Sequence, residues 1–188
     1  MAKFFGNLGA VVAAGFVLLV LVVLGIQGGM FDANYLIRFI HVICGIMWIG
    51  HLYYFNFTQI PTMPTIPAEL KPGVSKYIAP KALWWFRYGA LATVLTGLIV
   101  MAQAGYAGDA LALRSPFRTI GIGMWLALIM AFNVWFIIWP NQKKALGLVE
   151  ADADTKAKAA TTAMMFSRTN TLLSVPMLYC MIAAESGY

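Results

Sequence analysis

Both histidines of the chain, His41 and His51, fall in one apolar run, Asn34 to Thr58, NYLIRFIHVICGIMWIGHLYYFNFT. As a helix that run covers about 36 Å, enough to cross a bilayer with some tilt. An ionisable or metal-binding side chain at that depth is costly unless it faces a protein interior, so each imidazole marks a candidate site. Ten residues separate the rings by about 15 Å along a helix axis, so one metal cannot be gripped by both. His41 lies about 10 Å below one end of the run, and Gly45 follows at i+4 on the same face. The missing side chain leaves room for a flat group, and haem b, with His41 as metal ligand, is the cofactor that would need it. The alternative for His41 is a hydrogen bond to a carbonyl of a neighbouring helix, with Gly45 merely allowing close packing. His51 has Met47 four residues before it and Phe55 four after, which crowds its face. A hydrogen bond to Asn133 or Ser167 would satisfy it without metal.

Other polar residues fall at two levels. His51, Asn56, Arg87, Asn133, Arg168 and Asn170 all lie within about 10 Å of the same end of their apolar runs. A buried arginine costs about 2.5 to 3.5 kcal/mol at a helix centre, and less near the interface. Arg87 and Arg168 therefore imply an anionic partner, such as haem propionates, a quinone head group or an anionic lipid, or else they snorkel to the headgroups. Arg38, three residues before His41, shares its face, and Tyr35 lies one turn further out. Met177 is the best-placed second axial ligand and Met124 the next, with a histidine from a second protomer or another subunit equally suitable. No acidic residue lies inside an apolar run, so a general base there would have to be histidine, and no catalytic residue is assigned.

The supporting elements follow from composition. Of 188 residues 61% are hydrophobic and 11% charged, with a mean hydropathy of +0.78, which describes an integral membrane protein. The net charge of +6 comes from cations in loops beside apolar runs, so topology explains it and nucleic acid is not required. Cys44 and Cys180 sit in apolar runs, and no CxxC or CxxCH occurs, so no redox pair, zinc site or covalent haem attachment is indicated. An all-α bundle of five transmembrane helices in a single domain is expected, with spans at about 8–27, 34–58, 82–104, 119–139 and 163–184. The first run ends at Gln27, Gly28 and Gly29 without an A-x-A-like cleavage site and reads as a retained anchor. Five prolines between Pro61 and Pro80 predict a connecting loop, Pro140 an end to the fourth span, and Pro176 a kink in the fifth. With the N-terminus inside, Lys3, Lys71, Lys76, Lys81, Lys143, Lys144, Lys156 and Lys158 face the cytoplasm, and only Arg114 and Arg118 face outward. That bias puts the N-terminus in the cytoplasm and the C-terminus in the periplasm of a bacterial inner membrane.

Four separated blocks, HVICGIMWIGHLYYFNF, ALWWFRYGALATVLTG, GIGMWLALIMAFNVWFIIWPNQKKALG and SRTNTLLSVPMLYCM, carry a resemblance to the membrane domain of the urate hydroxylase (PuuD-type) family, also called the urate oxidase N-terminal domain family. The resemblance runs from about Tyr35 to Ala184. It implies a multi-span bundle in which the His41 helix enters from the periplasmic side, and a link to cytochrome chemistry through a fused c-type cytochrome that this sequence lacks. His41 in the HVxxG block is the position carried over. Three readings are open. The first is a small membrane subunit that binds haem b and assists electron transfer in a respiratory or periplasmic redox system. The second is a cofactor-free accessory subunit packed against other membrane subunits or a second copy of itself. The third is the membrane part of a urate-oxidising enzyme, with a c-type cytochrome as possible partner.

Overall fold

Each long apolar run folds as helix in the computed structural model, which describes residues 1–26 and 32–185; Gln27, Gly28 and Gly29 lie outside the described residues. The principal helices are α1 (Leu8–Ile26), α2 (Ala33–Tyr53), α3 (Ala79–Ala104), α4 (Arg118–Phe132), α5 (Trp139–Ala145) and α6 (Ala153–Glu185). Regular structure among the described residues is helical throughout.

Four stretches are long and apolar enough to cross a membrane: Leu8–Ile26, Ala33–Thr65, Lys71–Ala104 and Arg118–Ala145. The protein is thus membrane-embedded. The expected fifth span, α6, has 33 residues and ample length, but Arg168, Thr169, Asn170, Thr171 and Ser174 interrupt its middle. Length and apolarity alone therefore support four spans, and α6 owes its place to polar contacts with α2, α4 and the π turns that extend them.

The proline-rich segment is a correction to the expected loop. Helix persists from α2 through Thr62 and a tight turn to Thr65, then resumes at Lys71 and runs into α3. Pro72 falls in the first turn of a helix, where the missing N–H has no partner to lose, whereas Pro61 and Pro80 lie within continuous helix. The fourth span likewise continues through Pro140 to Ala145. A common device carries the helix past three of these prolines. π-helical turns at Tyr54–Gln59, Val74–Ile78 and Asn133–Ile138 end two residues before Pro61, Pro80 and Pro140. A proline ring clashes with the carbonyl four residues back and leaves it without a donor. Widening the turn moves those carbonyls away: Ile60, Ala79 and Trp139 donate instead five residues back, to Phe55, Val74 and Val134.

The chain divides into two units, Met1–Ile37 and Arg38–Tyr188, with the division inside α2. In the first, the Asn7 carboxamide oxygen accepts from the Ala10 N–H at 3.2 Å and caps α1, none of whose residues is buried. In the second, Trp48, Leu52, Phe86, Met130 and Val134 form the centre of the core. At one end of that unit, Tyr106 stacks on Phe117 with centroids 4.9 Å apart, and the Trp125 indole N–H donates to the Leu111 carbonyl at 3.0 Å. These contacts tie the short helix Ala107–Leu111 to α4.

Candidate functional site

α2 meets α3 along a seam of small residues. Gly89, Thr93 and Gly97 recur every fourth residue on α3, so they share one face. A Cβ at Gly89 would stand 3.1 Å from the Trp48 backbone nitrogen and 3.3 Å from its Cα, and one at Gly97 would stand 3.0 Å from Cε1 of His41. Glycine at both positions lets the Trp48 backbone and the His41 ring lie against α3. Gly45, expected to open a slot, faces the same seam, with the Thr93 methyl 4.0 Å from where its Cβ would be.

The His41 ring is half-buried, and its Nδ1 lies 3.0 Å from the Thr93 carbonyl oxygen and 3.0 Å from Thr96 Oγ1. A carbonyl can only accept, so Nδ1 carries the proton and donates. In the neutral ring Nε2 then holds a lone pair. Thr96 passes its own hydroxyl proton to the Ala92 carbonyl at 2.7 Å, and Thr93 donates to Gly89 at 2.7 Å.

The opposite end of α2 is held by amides and hydroxyls. Asn56, in the first π turn, donates to Ser167 of α6 at 2.8 Å and back to the Leu52 carbonyl at 2.9 Å. The Tyr53 hydroxyl meets Ser174 at 3.0 Å, and Ser174 donates to the Thr171 carbonyl at 2.7 Å. Asn133, in the third π turn, donates to Asn170 at 2.8 Å, and Asn170, fully buried, donates to the Met130 carbonyl at 2.9 Å. His51 is outside this clasp. Its Nδ1 donates to the Met47 carbonyl of its own helix at 2.7 Å, whereas the expected partners Asn133 and Ser167 are engaged elsewhere.

The two arginines part company. Arg87 is buried, with 9% of its surface exposed, and its guanidinium lies 3.3 Å from the centroid of the Trp139 indole. Its Nε and Nη1 have no hydrogen-bond partner. Arg168 is exposed, so of the two arginines Arg87 is the one that faces the protein interior. The buried face of α6 runs Ala163, Ser167, Asn170, Ser174 and Met177, and Arg168 is turned about 100° from Ser167. Met177 is buried in the core, and its carbonyl lies 3.5 Å from where a Gly123 Cβ would stand, on the α4–α6 contact rather than the α2–α3 seam. Met124 and Cys44 are half-buried, and Cys44 and Cys180 are free thiols.

The clasp was legible only in part. Asn56, Asn133 and Asn170 stood out as polar residues at one level and Ser167 as a partner, though for His51 and not Asn56, whereas Tyr53 and Ser174, and Trp139 as the plate under Arg87, gave no separate signal. A four-residue recurrence of Gly89, Thr93 and Gly97 would have found the seam.

Residues 107–187, which hold one half of this clasp, match the family described as urate oxidase N-terminal. Comparison with curated proteins and with solved structures gave no match. The matched stretch holds α4, α5, the third π turn and α6 with the Asn133–Asn170 pair; His41, His51 and Arg87 lie outside it. The likeness to the urate oxidase N-terminal family covers residues 107–187, somewhat under half of the chain.

Proposed function

We propose that the chain is a small subunit of the bacterial inner membrane that binds haem b through His41 and assists electron transfer in a respiratory or periplasmic redox system. The observation that carries this reading is the hydrogen bond from His41 Nδ1 to the Thr93 carbonyl. Metal-ligating histidines use this arrangement, because a carbonyl on one ring nitrogen fixes the tautomer and raises the basicity of the other. Among the described residues no three His, Cys, Asp or Glu side chains come together around an ion. A single histidine therefore suits a metal that arrives with most of its ligands, as haem iron does in its macrocycle. Haem b, when bound, supplies a one-electron carrier. The residue that would hold it is His41, through Nε2, with a second ligand from another protomer or subunit, because Met177 lies on the α4–α6 contact. Gly97 seats the ring, and Thr96 holds Nδ1 from the side. His51 also presents a free Nε2 but is fixed only to its own helix, which supports a secondary role.

The cation bias supports five spans, with α6 the last, the N-terminus cytoplasmic and the C-terminus periplasmic. A C-terminal alkaline phosphatase fusion should be active and a fluorescent fusion at the same site dark; the reverse pattern contradicts the orientation.

A second reading is favoured by the same hydrogen bonds. Both histidines have their Nδ1 satisfied by a carbonyl, so neither needs a metal to be stable, and a cofactor-free accessory subunit is consistent with the seam and the clasp. The family match keeps open the third reading, the membrane part of a urate-oxidising enzyme served by a c-type cytochrome. Difference spectra of the purified protein, oxidised and dithionite-reduced, separate the first reading from the second: haem b gives Soret and alpha bands, and their absence sinks haem ligation.

A further inference from the structure

Among the described residues no acidic side chain pairs with Arg87. The acidic residues are Asp32, Glu69, Asp109, Glu150, Asp152, Asp154 and Glu185, all outside the middle of the apolar helices, and Asp109 pairs with Arg114 at 3.1 Å. Trp139 covers one face of the guanidinium. Stacking does not satisfy the N–H donors, because they lie in the plane of the group and point past the ring edge. Nε and Nη1 are both buried and unpartnered, although an unmet charged donor costs more than a neutral one.

The surroundings point to a group that would satisfy them. Lys143, four residues after Trp139 on α5, places its ammonium 5.6 Å from the centroid of the same indole ring. Trp139 is the first residue after the third π turn, and the additional residue in such a turn rotates the downstream helix by about 100° relative to an uninterrupted α-helix. The turn that carries the helix past Pro140 thus also decides where Trp139 and Lys143 point. Lys81 lies about 9 Å before Arg87 along α3, with Trp84 and Trp85 exposed between them as in an interfacial aromatic belt. Arg87, less than one turn below that belt, is within reach of a headgroup phosphate that dips toward it.

We propose that Arg87, with Trp139 as its backing plate and Lys143 as an outer cation, forms a binding site for a phosphate group, supplied by an anionic phospholipid or by free phosphate. Nε–H and Nη1–H lie on different edges of the guanidinium, so a phosphate oxygen accepts a charge-assisted hydrogen bond from one of them. The ammonium of Lys143 adds a point charge on the outer side. The site uses no atom of the His41 arrangement and stands whether or not haem binds there.

The test uses the full chain purified in detergent. Native mass spectrometry and thermal melting are followed with phosphatidylglycerol, with phosphatidylcholine, and with inorganic phosphate. Phosphatidylglycerol should be retained and should raise the melting temperature, and phosphatidylcholine should do neither. The preference should survive about 1 M salt, where the Debye length is about 3 Å and attraction to surface lysines is screened. Arg87→Gln should weaken it about tenfold or more, the scale of one charge-assisted hydrogen bond, and Lys143→Gln by a smaller factor. A saturable shift with inorganic phosphate, lost in Arg87→Gln, assigns the site to free phosphate instead of lipid. Should Arg87→Gln fail to fold, the salt-resistant preference of the wild type and its reduction in Lys143→Gln carry the test. Equal retention of both lipids with no phosphate effect overturns the proposal, as does a preference unchanged in both variants. Loss of haem bands in Arg87→Gln without any change in phosphate or lipid binding also overturns it, by giving Arg87 to a propionate.

Discussion

The two ends of α2 are held by different physics. Toward His41, the helix lies against α3 through glycines that bring backbone to backbone, and one imidazole reaches across to one carbonyl. Toward Asn56, it is held to α6 by side chains, Asn56 to Ser167 and Tyr53 to Ser174. Lipid tails are as apolar as leucine, so burial of apolar surface gives helices little reason to associate within a bilayer. Close approach and hydrogen bonding remain, and this chain uses one at each end. The seam leaves a ring nitrogen free for a ligand, whereas the clasp consumes its polar groups on one another. A site is therefore expected at the seam and rigidity at the clasp.

Gly89→Leu should have the largest effect, because the new side chain meets the Trp48 backbone rather than a movable side chain. Overpacking costs typically about 1–3 kcal/mol and the helices here cannot part without losing the His41 bond, so the upper end or beyond is expected. Reversible unfolding in mixed micelles measures it; a loss under about 0.5 kcal/mol, the range of ordinary surface changes, would mean that the seam is not close-packed.

At the clasp, Asn170→Leu removes the acceptor for Asn133 and the donor to the Met130 carbonyl. Leaving a buried group unmet costs about 1–3 kcal/mol, and adding Asn133→Leu should recover part of that loss, since removing both partners is milder than removing one. Strict additivity of the two changes in a double-mutant cycle would mean that the amides do not support each other.

The smallest effect is expected at the start of α6. Thr155 donates both its backbone N–H, at 2.8 Å, and its hydroxyl, at 2.7 Å, to the Asp152 carboxylate, and these bonds hold the carboxyl below its ordinary range. A lowered folded-state pKa contributes stability that is complete above the ordinary aspartate range and is lost as pH falls through the lowered value. Amide exchange in the first turn of α6 should thus quicken only in acid, and Asp152→Ala should quicken it at neutral pH and remove the acid dependence. Acid-dependent exchange persisting in Asp152→Ala would transfer the cap to another group.

The division between seam and clasp was half visible in the residues. Apolar runs gave the helices because the bilayer demands about twenty apolar residues whatever their partners. Asparagines at one depth gave the clasp because amides are conspicuous among leucines. The prolines misled, since a proline accommodated within a continuous helix reads the same as one that breaks a helix. Only the i−5 bonds to Phe55, Val74 and Val134 reveal which case holds. The facing of Arg168 was not legible for another reason. Depth follows from counting along the chain, whereas facing depends on helix phase, and α6 turns Ser167 inward and Arg168 outward.

The central claim, that the seam carries the ligand site, is tested most directly by reduced-minus-oxidised spectra of the wild type, His41→Ala and His51→Ala purified side by side. Haem b bands in the wild type, lost in His41→Ala and largely kept in His51→Ala, are the result expected. Bands lost equally in both variants would place the site elsewhere or divide it between two haems, and spectra without haem in all three proteins would contradict histidine ligation at the seam.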